Sequence, residues 1–238
     1  MYRKELTYYF STPIAYIVIA LYLLTISLML WVVPGEWNII DSGYAQAEGL
    51  MQISPWLLLL LCPALTMRLF AEERQTGTWD VLRSKPVPLA NIVLGKYFAA
   101  WTIVVVAQLP CLVHYAAVYA LAEPVGNVDS GAFFGGFLGL LLVSAALTAI
   151  GMWASTLSKN QIVSFLIGFV ACFLMYYGFD LLASLLPPQI SQMWVSWFGL
   201  NFHLHSIELG VIDLRDLVYF PSVSILFIVM SILSLKDK

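Results

Sequence analysis

Five stretches of this chain, residues 6–35, 49–67, 97–122, 130–158 and 160–179, carry no charged residue, and a sixth covers residues 217–235. An α-helix rises about 1.5 Å per residue, so roughly 20 residues cross a hydrocarbon core about 30 Å thick, and each stretch is long enough to span. Backbone groups in lipid have no water to bond, which leaves helices and closed barrels as spanning structures, and apolar runs this long leave no room for a large barrel in 238 residues. At 61% hydrophobic and 11% charged, the chain also has too little polar surface to cover itself in water. The fold class predicted is an all-α integral membrane protein, one domain over residues 1–238. Its six transmembrane helices fall near residues 14–33, 53–70, 92–121, 132–156, 162–186 and 217–235.

A seventh uncharged stretch, residues 181–207, is interrupted by Pro187, Pro188, Gln189, Gln192, Asn201, His203 and His205. Its beginning continues span five, and the remainder predicts short interfacial or re-entrant helices between spans five and six. Trp194, Trp197 and Phe198, with His203 and His205, suit the headgroup level there. Arg3-Lys4 ahead of the first apolar run, with Ala45-Gln46-Ala47 beyond it, has the outline of a secretion signal. The apolar run is longer than the 7–15 residues of a signal core, so it predicts a retained helix. Cys62, Cys111 and Cys172 lie inside apolar stretches without metal-like spacing and read as small core residues.

With the amino terminus inside, ten basic residues fall on the cytoplasmic side: Arg3, Lys4, Arg68, Arg74, Arg83, Lys85, Lys96, Lys159, Lys236 and Lys238. Only Arg215 is left outside. That sorting predicts both termini cytoplasmic. Glu36, Asp41, Glu48, Glu123, Asp129, Glu208, Asp213 and Asp216 then lie outside, so the net charge of −3 reflects sorting by leaflet and gives no reason to expect nucleic acid. Ahead of span one, residues 5–13 predict an amphipathic elbow along the cytoplasmic surface. Tyr8, Tyr9 and Phe10 would sit at the interface, and Pro13 would break the helix.

Charge is densest between spans two and three, where Arg68, Glu72, Glu73, Arg74, Asp80, Arg83 and Lys85 fall within residues 68–86. Gly77 can stop the helix leaving span two, and Thr78 is a candidate N-cap for a short helix with Asp80 near its positive end. Trp79 and Leu82, three apart, share one face of that helix, and Pro86 ends it. A solvated loop obeying the positive-inside rule accounts for the basic residues alone. The added carboxylates, the Gly-Thr break and the apolar face predict a helix that docks a partner.

The run Glu72-Glu73-Arg74-Gln75-Thr76-Gly77-Thr78, followed by Leu82, Pro86 and Ile92-Val93-Leu94-Gly95-Lys96-Tyr97, resembles the signature of ABC-2 type permeases. A second likeness is Gly210-Val211-Ile212-Asp213 ahead of the last span, and the subfamily it most resembles is the gliding-motility-associated permease subunit. Trp79-Asp80 and Glu208 depart from the family's usual residues. The resemblance implies an inner-membrane permease subunit that takes no cofactor and couples hydrolysis by a separate ATPase subunit to movement of substrate or force. A second permease chain and membrane lipids are its other implied partners. It further implies that Glu72, Glu73, Arg74, Gln75, Gly77, Thr78, Trp79, Asp80 and Leu82 form the contact with the ATPase.

Other chemistry finds little support. Gly95-Lys96 lacks the upstream glycine and following Ser or Thr of a phosphate loop, so ATP hydrolysis is expected in the partner. His203 and His205, two residues apart, do not share a helical face and make a poor zinc pair. His114 and Asp180, the other ionisable groups near membrane depth, read as structural. A secondary transporter would show broken helices in corresponding halves, which this sequence lacks. A multi-pass anchoring or assembly protein of an envelope complex remains the alternative, since it too could dock through the helix at residues 78–83.

Overall fold

The computed structural model describes residues 1–45, 47–84, 86–186, 190–210 and 213–236. Readings that fall on Gln46, Lys85, Pro187, Pro188, Gln189, Val211, Ile212 and Lys238 lie outside the described residues. Within them the chain forms α1 (Tyr2–Ser11), α2 (Pro13–Trp31), α3 (Ile39–Ser42), α4 (Glu48–Thr66), α5 (Arg68–Gln75), α6 (Thr78–Arg83) and α7 (Leu89–Gln108). There follow α8 (Leu112–Leu121), α9 (Ser130–Leu157), α10 (Gln161–Phe173), α11 (Phe179–Ser184), α12 (Ile190–Ser196), α13 (Leu200–Glu208) and α14 (Leu214–Lys236). Six segments are long and apolar enough to cross a membrane: Pro13–Trp31, Glu48–Gln75, Leu89–Leu121, Ser130–Leu157, Gln161–Ser184 and Leu214–Lys236. All six expected spans are present. Span two is longer than expected, because α4 passes through Met67 in helical geometry straight into α5.

The second and fourth spans form the buried centre, and the other four surround them. Small residues explain why α9 sits innermost: Gly135, Gly139, Ala146, Ala149, Gly151 and Ala154 lie buried along it and let neighbouring backbones approach. The contact with α13 is close enough that a Cβ on Gly139 would stand 2.9 Å from Leu204 and 3.3 Å from Ile207. Cys62, Cys111 and Cys172 are free and buried, as small core residues should be.

Two local irregularities mark the outer spans. Pro110, which cannot donate an amide hydrogen to a continuing helix, sits in the 3-10 turn Leu109–Cys111 between α7 and α8. A π-helical turn, Leu174–Gly178, joins α10 to α11, and such turns re-aim the side chains they carry. The bundle thus has a basic end, with α1, α5 and α6, and an acidic end, with α3, the 122–129 connection, α12 and α13.

The elbow begins at Tyr2 rather than at residue 5, and Thr12 adopts the extended conformation that a following proline imposes before α2 starts at Pro13. Its aromatic pair is split. Tyr8 is 40% exposed, whereas Tyr9 is 1% exposed and turned inward, so only one of the two faces the surroundings.

Candidate functional site

At the basic end the structure gathers four elements around one cation. Lys96 is the eighth residue of α7 and 1% exposed, and its ammonium donates to Glu5 Oε1 of the elbow at 2.9 Å and to Glu73 Oε1 of α5 at 2.8 Å. The same Nζ lies 5.4 Å from the centroid of the Phe70 ring, whose edge packs against Trp79 of α6 at 5.7 Å. A lysine buried alone would cost several kcal/mol; two carboxylates and an aromatic face offset that cost and fix α1, α5, α6 and α7 relative to one another. The arrangement is not fully satisfied, since Glu73 Oε2 and the Trp79 indole nitrogen are buried without a hydrogen bond.

Further links run from the elbow to the stem of span two. The Tyr9 hydroxyl donates to the Leu65 carbonyl at 2.9 Å, and burial raises the Tyr9 phenol well above its ordinary pKa, so it remains a donor. Tyr8 donates to Glu72 Oε1 at 3.2 Å, and the Arg68 guanidinium lies 5.0 Å from the Tyr8 ring. Arg74 donates to the carbonyl of Thr156 in the last turn of α9, where a cation also meets the negative end of the helix dipole.

These contacts redistribute the nine residues singled out from sequence. Trp79 and Leu82, 5% and 8% exposed, turn into the chain's own core, so the apolar face expected to dock a partner is already covered. Glu73 and Arg74 are spent on Lys96 and Thr156, and Glu72 on Tyr8 and Arg68. Gln75, Gly77, Thr78 and Asp80 are exposed. Gly77 stops the stem as expected, with φ at +74°, a left-handed conformation that costs a residue with a Cβ about 1–2 kcal/mol. It is also the residue that precedes the first turn of α6, so the cap falls on Gly77 and not on Thr78, whose hydroxyl instead meets Thr76 Oγ1 at 3.0 Å. Beside these, Val81 is 64% exposed at the tip of α6.

Sequence reasoning missed Lys96, Glu5 and Val81. A signal existed for the first: a lone lysine within an apolar helical window needs a partner. Nothing in the spacing of Glu5, 91 residues away, identified it as that partner.

A family model described as an ABC-2 family transporter protein matches residues 45–196, which include the whole of α5 and α6. The chain belongs to the ABC-2 transporter family. It is therefore a multi-pass membrane component of an ABC transporter, a class in which ATPase activity lies in partner subunits. Comparison with curated proteins gives no match.

At the acidic end, His203 is not at a headgroup surface but 1% exposed, with Nδ1 2.6 Å from Asp216 Oδ1 and Nε2 2.8 Å from the Trp197 carbonyl. Both ring nitrogens lie at hydrogen-bonding distance from protein oxygens, which ties α13 to α14. Trp194, Trp197 and Phe198 are exposed, in keeping with an interfacial belt. Asp180 accepts from the Asn201 amide at 2.8 Å, joining α11 to α13. The Trp31 indole donates to His114 Nδ1 at 3.0 Å, so that nitrogen is an acceptor and His114 is neutral, its other nitrogen 3.3 Å from the Ser27 hydroxyl.

Proposed function

We propose that this chain is the permease subunit of a bacterial inner-membrane ABC transporter, with both termini cytoplasmic, and that the exposed edge of the α5–α6 turn receives a separate ATPase subunit. The carrying observation is the placement of α6. It is exposed on Thr78, Asp80, Val81 and Arg83, beside exposed Gln75 at the end of α5, while Trp79 and Leu82 root it in the bundle and its stem is span two itself. A partner's movement against α6 is then delivered to a transmembrane helix without an intervening flexible segment. Positive residues crowd this end, as the cytoplasmic side requires. The resemblance to gliding-motility-associated permeases supports movement of substrate or force across the membrane, in gliding motility, as the process served. One set of six spans calls for a second permease chain, identical or related, to complete a pathway.

The contact chemistry now rests on Val81 as an apolar anchor with Asp80 and Arg83 beside it, rather than on the buried Trp79 and Leu82. Val81→Asp should weaken ATPase binding about tenfold or more, since a central apolar anchor contributes upwards of 1.4 kcal/mol. Membrane insertion and thermal stability should stay near wild-type values, because Val81 is 64% exposed. Co-purification of the ATPase through a tag on this chain, with ATP turnover of the complex, measures both. Wild-type assembly and turnover in Val81→Asp, with Glu36→Lys at the acidic end as control, would leave the α5–α6 turn a mere connector and return the anchoring-protein reading.

A further inference from the structure

The acidic end opens into a cavity of about 1100 Å³, half enclosed, between α3, α4, α8, α9, the π turn and α13. Pockets for drug-sized ligands run about 300–1,000 Å³, so this one is ample for a molecule of that size.

Its walls follow from helical spacing. Glu48, Gln52 and Trp56 stand four residues apart on one face of α4 and all line the cavity, placing a carboxylate, an amide and an indole along about 12 Å of depth. On the facing α13, Asn201, His205 and Glu208 line it in the same way, while Leu204 and Ile207 pack inward on α9. The deep part is aromatic. Trp56, 47% exposed, meets Tyr176 edge-on at 5.8 Å and Tyr177 at 5.6 Å, and both tyrosines lie in the π turn, which aims them there.

The acidic side chains lining this cavity are Glu48, Glu123, Asp129 and Glu208. Among the described residues no lysine or arginine lines it, and His205, which does, has its Nδ1 3.8 Å from Glu208 Oε2. Carboxylates at the mouth over an aromatic floor complement one kind of molecule, a cation carried on an apolar body. The aromatic faces attract the charge as well as the body, through their quadrupoles.

We propose that this cavity is a binding site for an amphiphilic cation, an ammonium or similar group on a hydrophobic body, with Glu48 and Glu208 taking the charge and Trp56, Tyr176 and Tyr177 the body. That such a molecule is cargo rests on the permease reading; that it binds does not. An amine-bearing membrane lipid and a free amphiphilic amine share this chemistry.

The test uses the full chain purified in mild, uncharged detergent and a pair of ions of one shape and opposite sign, tetraphenylphosphonium and tetraphenylborate, in equilibrium binding against protein-free micelles. Tetraphenylphosphonium should bind at one site per chain and tetraphenylborate at least tenfold more weakly. Glu48→Gln with Glu208→Gln should weaken the cation about tenfold or more without affecting the anion, and Glu36→Gln, outside the cavity, should change neither. Equal binding of the two ions, or a double variant with wild-type affinity for the cation, overturns the site. Because the ion pair is compared on the wild-type chain, an unstable variant does not spare the proposal. Solvent extraction before and after saturation with the cation separates the sources: an amine-bearing lipid released by the probe identifies a lipid occupant, and its absence a free amphiphile. Lost cation binding with intact ATPase coupling removes the cavity alone. Cation binding without ATPase association removes the permease reading alone.

Discussion

The two ends of the bundle treat charge in opposite ways. At the basic end, carboxylates from α1 and α5 meet Lys96 of α7 at hydrogen-bonding distance, and Arg74 caps α9. At the acidic end, Glu48, Glu123 and Glu208 surround a cavity that no lysine or arginine lines among the described residues. Paired charges inside a bundle position helices relative to one another. Charges of one sign left around an opening face outward, toward whatever enters.

The comparison breaks most visibly at Lys96. Replacing it with Met leaves buried Glu5 and partly buried Glu73 without their cation, and breaking a buried pair from one side costs about 3–5 kcal/mol. Lys96→Met should therefore lower the thermal midpoint of the detergent-solubilised chain sharply. Combining it with Glu5→Gln and Glu73→Gln, which removes the charges along with their partner, should recover most of the loss. A single variant as stable as wild type would mean that the triad does not organise this end.

Gly77→Val should have a smaller effect, about 1–2 kcal/mol, arising in the backbone alone, because nothing lies within 4 Å of the added Cβ position. The cost should appear as displaced or frayed α6, read as reduced ATPase-stimulated turnover with the bundle's thermal midpoint shifted by only a few degrees. Full turnover would show that α6 does not need the left-handed stop.

The smallest effect belongs to the acidic end. Burial, with the Glu48 carboxylate across the cavity adding to it, pushes Glu208 up from 4.5 to about 7, and His205 and Tyr176 are further titratable groups facing it. A carboxyl whose folded pKa is raised contributes stability that is fully present below about 4.5 and is lost as pH rises through about 7. The thermal midpoint of the wild type should therefore drift down over that window relative to Glu208→Gln, and a bound cation should reverse the drift. Identical pH profiles in the two proteins would show that Glu208 is solvated and that the two ends differ less than their geometry implies.

How far sequence reached differs between these ends for a physical reason. The spans were legible because a bilayer imposes length and apolarity on a continuous segment, and Gly77 was legible because a helix stop is a local event. Lys96 with Glu5, and the inward turn of Trp79, depend on which helices become neighbours, and periodicity along one helix carries no such information. The acidic residues at the far end were read only as leaflet sorting. That Glu48, Gln52 and Trp56 share a helical face was visible in their spacing; that α13 and the π turn stand opposite was not.

The uninterrupted passage from α4 to α5 has a mechanical meaning. Residues Glu48–Gln75 form a rod of 28 residues, about 42 Å long, with the cavity mouth at one tip and the root of α6 at the other. α9 holds it along its length, from Met51 beside Gly136 to Arg74 on the Thr156 carbonyl, so the two helices tilt together. A tilt of about 5° displaces each tip by about 2 Å in opposite directions, given half of that length as the lever arm. A small push on α6 and a change in the width of the mouth thus become two readings of one rotation.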